Sequence, residues 1–107
     1  MKRFTIPLVE KCFIIYCGKE EWEKFRDITN KEGANGDILS PSPKRTEGRY
    51  YGGRIWVYDI KDKKTLLHEL SHLIDDAMLT LNSDDTEFRA YLTEWVYMAV
   101  LKYSEST

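Results

Sequence analysis

The chain reads as a compact α+β domain, a small and mainly antiparallel sheet packed against helices. Short β-branched and aromatic runs occupy residues 3–9, 13–17 and 54–59. Segments of helical period occupy residues 20–31, 62 or 63 to 81, and 84 to about 103. A length of 107 residues with 42% hydrophobic side chains supports one modest core and leaves no room for a second. Residues 1–107 are therefore read as a single domain.

The elements follow in order. Met1-Lys2-Arg3 ahead of an apolar run has the look of a leader peptide. Glu10-Lys11 interrupts that run, however, and no small-residue cleavage site follows. A first strand over residues 3–9 and a cytoplasmic location are expected. No apolar run approaches the roughly 20 residues that span a bilayer. A second strand over 13–17 ends at Gly18. Cys12 and Cys17 stand at an odd spacing that puts them on opposite faces, so two buried free thiols are expected rather than a disulfide or a shared metal. Trp22, Phe25 and Ile28 form one stripe of the helix over 20–31, which Gly33 closes. Residues 33–48 are rich in turn formers and read as a loop, with a short extended piece at Ile38-Leu39. The strand over 54–59 follows Gly52-Gly53, which marks a turn or a close backbone approach. The last two helices are joined tightly at Asn82-Ser83, which makes them antiparallel neighbours.

Charge narrows the partners. Sixteen basic against eighteen acidic residues give a net charge of −2, with no local basic cluster. Neither nucleic acid nor an anionic membrane surface is expected to bind.

Residues 68–72 read His-Glu-Leu-Ser-His. Histidines four apart lie on one helix face, about 5–6 Å apart at Cβ, within joint reach of one metal ion. Both histidines of the chain are here. Random placement gives this spacing roughly 2% of the time, and the required glutamate lowers coincidence to about 1 in 500. On a helical wheel Leu66, Leu67, Leu70, Leu73, Ile74, Ala77 and Leu81 share one arc that faces the core. His68 and His72 lie opposite, with Thr65, Asp75 and Leu79. Glu69, offset by about a quarter turn, can hold a metal-bound water without ligating the metal.

One zinc ion per chain is expected, with His68 and His72 as ligands. A catalytic zinc takes three protein ligands and leaves the fourth place for water. With no histidine left, a carboxylate must complete the set, and Asp75, Asp76, Glu87 and Glu94 are the candidates. Asp75 continues along the same helix and cannot wrap around the ion, so it is read as supporting or solvated. Glu87 lies in the first turn of the next helix and can reach across, and Glu94 stands two turns further on the same face as Tyr91. A water or partner ligand is the remaining alternative. Asp84-x-x-Glu87 also has the form of a capping box, a role that excludes ligation.

Residues 52–59 (GGRIWVYD), 65–73 (TLLHELSHL) and 85–95 (DTEFRAYLTEW) together resemble the minimal zincins, most closely the small metallopeptidases encoded by bacteriophages and prophages. The likeness covers roughly residues 50 to 96. It implies the gluzincin arrangement, with His68, His72 and Glu87 as ligands and Glu69 as general base. It also implies that the strand bearing Arg54, Trp56 and Tyr58 is a sheet edge along which an extended peptide or protein substrate lies. Larger gluzincins add a histidine or tyrosine from a further subdomain to hold the oxyanion. Here Tyr91, Tyr58, Tyr50 or Arg54 would have to serve, and Glu94 and Asp75 would support the site. The expected activity is hydrolysis of a peptide bond by metal-activated water. The alternative is a zinc-binding protein without turnover, or a regulatory component of a phage-type switch using the same site.

Overall fold

The computed structural model describes residues 1–7, 9–32 and 48–107. Their elements are β1 (Lys2–Ile6), β2 (Lys11–Cys17), α1 (Gly18–Lys31), β3 (Gly48–Tyr51), β4 (Arg54–Val57), α2 (Lys63–Thr80) and α3 (Thr86–Ser106). The expected α+β architecture is present. The four strands form one sheet in the order β1-β2-β4-β3. The pairs β1–β2 and β3–β4 are antiparallel, while β2 and β4 run parallel, so the sheet is mixed.

Alternation along the strands gives the sheet two apolar faces. Phe13, Ile15, Ile55 and Val57 point to the face covered by α2 and α3, where they meet Leu66, Leu70, Ile74, Leu92, Val96 and Val100. Each such side chain contributes about 1.5–3 kcal/mol on full burial. Tyr16 and Trp56 point to the opposite face and pack on Phe25 of α1, with Trp22 and Ile28 beside it as the helical stripe requires. The Trp56 indole donates to the Gly18 carbonyl at 2.8 Å, which seats the start of α1 on the sheet.

The helix ends are set by local chemistry. Asp62 caps α2, its carboxylate accepting from the Thr65 amide at 3.2 Å and the Thr65 hydroxyl at 2.7 Å. After α2, Asn82 takes the left-handed conformation (φ 51°). The Asn82 amide donates to the Leu79 carbonyl and the Ser83 amide to that of Met78, both at 3.0 Å, which is a Schellman closure. Asp85, not Asp84, then caps α3 by accepting from the Glu87 and Phe88 amides. Glu87 therefore sits one position too early for a capping box. Asp75 pairs with Arg89, and Ser71 with Tyr97. Earlier residues of α2 thus meet later ones of α3, and the two helices are antiparallel as expected.

Several expectations are corrected. β1 stops at Ile6, because Pro7 has no amide to continue a ladder. Cys12 is exposed and Cys17 half-buried, both free. Cys12 lies near the start of β2, with its thiol 3.4 Å from the Thr5 hydroxyl of β1. β3 was not anticipated, and β3, opposite β1, forms one of the two edges of the sheet. The strand expected over 54–59 ends at Val57, so it bears Arg54 and Trp56 but not Tyr58, and it is interior, paired to β2 on one side and β3 on the other. The extended piece expected at Ile38-Leu39 lies outside the described residues. Among the described residues no helix is long and apolar enough to cross a membrane.

Gly52 and Gly53 form the two-residue turn between β3 and β4 with φ of +52° and +82°, the signature of a type I′ hairpin. The Gly53 carbonyl also accepts from the Ile14 amide at 3.1 Å, so turn and close approach coincide. A Cβ at Gly53 has room, its nearest contact being 3.6 Å away. Gly53→Ala is therefore expected to cost about 1–2 kcal/mol of unfolding free energy through backbone conformation alone. Gly53→Asn should cost less, because asparagine tolerates this region. Urea denaturation of the two variants checks the order.

Candidate functional site

His68, Glu69 and His72 project from the middle of α2 beside the edge strand β3. The two histidines are exposed, on the face opposite Leu66, Leu70, Leu73 and Ile74, as the wheel requires. Their rings meet edge to face at 4.9 Å with the Nε2 atoms 3.3 Å apart. In the neutral pair one imidazole donates to the other. Tyr50 of β3 lies along the His72 ring with centroids 6.2 Å apart. Its hydroxyl donates to the Asp76 carboxylate at 2.5 Å and accepts from the Gly53 amide at 3.2 Å. Burial and the Asp76 charge push the Tyr50 phenol far above its usual range, so it stays protonated and remains a donor.

Glu69 is turned inward and is only 6% exposed. Burial raises its pKa, against a weaker lowering pull from His68, His72 and Arg49. Room for this side chain depends on Gly48. A Cβ there would stand 2.8 Å from Thr65 Cγ2 and 2.9 Å from Glu69 Cγ. Only glycine lets β3 come this close to α2.

These residues line an open cleft of about 840 Å³ whose walls include Gly48, Arg49, Thr65, His68, Glu69 and Tyr97. Ser71 and Tyr97 also meet in it, their hydroxyls 3.1 Å apart, with Ser71 within reach of the Leu67 carbonyl. Arg49, Ser71 and Tyr97 were not singled out from the sequence. The Gly-Arg-Tyr-Tyr run directly before Gly52-Gly53 was a usable hairpin signal for the first of them. Nothing in the spacing of α3 marks Tyr97, which lies off the Leu92, Val96, Val100 stripe.

The expected zinc site is not formed. Among the described residues no group of three or more His, Cys, Asp or Glu side chains could hold a metal ion. Helix register explains the shortfall. The Asp75–Arg89 and Ser71–Tyr97 pairs place Glu87 roughly a turn or more beyond His72, at the link between the helices, where it is exposed. Glu94 is at the height of His72 but on the outer side of α3, in a groove with Trp95 and Met98. Asp75 is engaged by Arg89 and Asp76 by Tyr50. Tyr91 stacks on Phe88 at 6.5 Å, away from the cleft. Arg54 pairs with Glu32 at 2.6 Å, Trp56 is buried, and Tyr58 packs on Trp56. None of these three lines the cleft.

Gly48→Ala is expected to lower stability by about 1–3 kcal/mol, the usual cost of overpacking. Thr65→Ser in the same chain removes the methyl that the new Cβ meets and should recover part of the loss. A double-mutant cycle by thermal or urea unfolding reads the coupling.

Compared with protein-family models, curated proteins and solved structures, the chain matches none.

Proposed function

We propose that this chain is a hydrolase that cleaves a peptide bond in the cleft between β3 and α2, with Glu69 as general base. The carrying observation is one carboxylate, buried and held against a backbone glycine, that lines a cleft with His68 beside a sheet edge. Desolvation raises the basicity of Glu69, which suits a group that must take a proton from water near neutral pH. The water proton passes to Glu69, the hydroxide adds to the scissile carbonyl, and the same proton goes on to the leaving amine as the C–N bond breaks. Arg49 and the Tyr97 hydroxyl are the side-chain donors that the cleft offers to the developing oxyanion. The likeness of the His-Glu-Leu-Ser-His segment to that of the minimal zincins supports the same reaction class.

The substrate lies along β3. Tyr51 and Arg54 flank the two-residue turn and form a hydrogen-bonded pair, as Arg49 and Trp56 do one step on. The amides and carbonyls of Gly48 and Tyr50 therefore point to the outer edge. Among the described residues no strand pairs there, so an extended peptide can add as a fifth strand. This reading goes with a cytoplasmic location, where the two free cysteines stay reduced.

The test is digestion of a mixed peptide library, with new amino termini identified by mass spectrometry. The wild-type protein should generate new termini, and Glu69→Gln should lower the rate by roughly 10²–10⁴-fold while leaving the fold unchanged by circular dichroism. A wild-type protein that cuts nothing, or a Glu69→Gln protein that cuts at the wild-type rate, would defeat the assignment.

A further inference from the structure

The outer face of α3 is unlike a solvated helix surface. Met98 is 66% exposed there, at the centre of a groove lined also by Glu94, Trp95, Leu101, Lys102 and Glu105. The stripe has the spacing of a helix–helix seam, with Glu94, Trp95, Met98, Leu101, Lys102 and Glu105 recurring at three- and four-residue steps. Its order is self-complementary when reversed about Met98. A second copy of α3 laid antiparallel and centred on that residue sets Met98 on Met98, Trp95 on Leu101, and Glu94 opposite Lys102, each of the last two contacts occurring twice. The charges favour this arrangement over an in-register parallel pairing, which would oppose Glu94 to Glu94 and Lys102 to Lys102.

We infer that the chain forms a symmetric dimer through this face of α3, with a second copy of itself as the occupant. A closed two-fold interface of this kind uses the same patch on both subunits and leaves none of it open. The cleft beside Glu69 and this groove share no lining residue.

The test is sedimentation over a range of protein concentrations, with two charge-reversal variants at exposed positions. The wild-type protein should pass from monomer to dimer as concentration rises. Glu94→Lys turns both charge contacts into Lys–Lys oppositions, and Lys102→Glu turns both into Glu–Glu. Each variant alone should associate at least about tenfold more weakly than the wild type. Mixing them restores both oppositely charged contacts, so the mixture should form a heterodimer with wild-type affinity. The double swap Glu94→Lys/Lys102→Glu should likewise dimerise. A wild-type protein that stays monomeric throughout would overturn the proposal. So would dimers that persist in both single variants, or a mixture that fails to associate although each variant keeps the wild-type circular dichroism spectrum.

Discussion

The approach of β3 to α2 governs much of what this molecule can do. An edge strand normally stands off a helix by the length of its side chains, and here Gly48 removes that spacing at one point. The gap so made is filled by Glu69, which exchanges water for protein on most of its surface. Tyr50, two residues on and on the same face, ties the strand to α2 at both its ring and its hydroxyl. The glycine permits closeness, and the tyrosine enforces it. With both in place, a carboxylate that would otherwise be solvated on a helix is held in a desolvated position beside two imidazoles.

Burying an ionisable group costs stability, and here the desolvation of Glu69 outweighs the pull of His68, His72 and Arg49. The core under α2 bears that cost. Leu66, Leu70, Leu73 and Ile74 are all buried on the face next to Glu69, and Asp62 fixes the first turn. Placement at the centre of α2 matters for the same reason, since a helix end would fray under such a load. α3 completes the support from the side. Its Leu92, Val96 and Val100 stripe meets the sheet, its Tyr97 reaches the cleft, and its remaining face is left to solvent or to another subunit.

Much of this was legible in the residues. Period-two and period-3.6 patterns located β2, β4 and all three helices, because each of those elements buries a continuous apolar face and must show it. The wheel of α2 separated Leu66 and Leu70 from His68 and His72 correctly. What it could not show was height. A single helix reports which side a residue faces, whereas a third ligand depends on the register between two helices, and that register is set by the Asn82 closure and the Asp85 cap. A one-position difference in the capping residue and the turn-length link leave Glu87 too low and Glu94 facing out. β3 escaped for another reason. Four residues containing one glycine carry too little pattern to stand out from the turn-rich stretch before them, and which strand is outermost is a property of the assembled sheet.

The parallel pairing of β2 with β4 has a bearing on how the chain reaches this state. β1–β2, β3–β4 and α2–α3 are each built from neighbouring segments, joined by short turns, and can form early and independently. The ladder that joins the first two brings Ile14 beside Arg54, about forty residues apart along the chain. Closing so long a loop before the contacts inside it exist is entropically unfavourable. Among the described residues the docking of the two hairpins across that ladder is the strand pairing with the largest loop-closure cost.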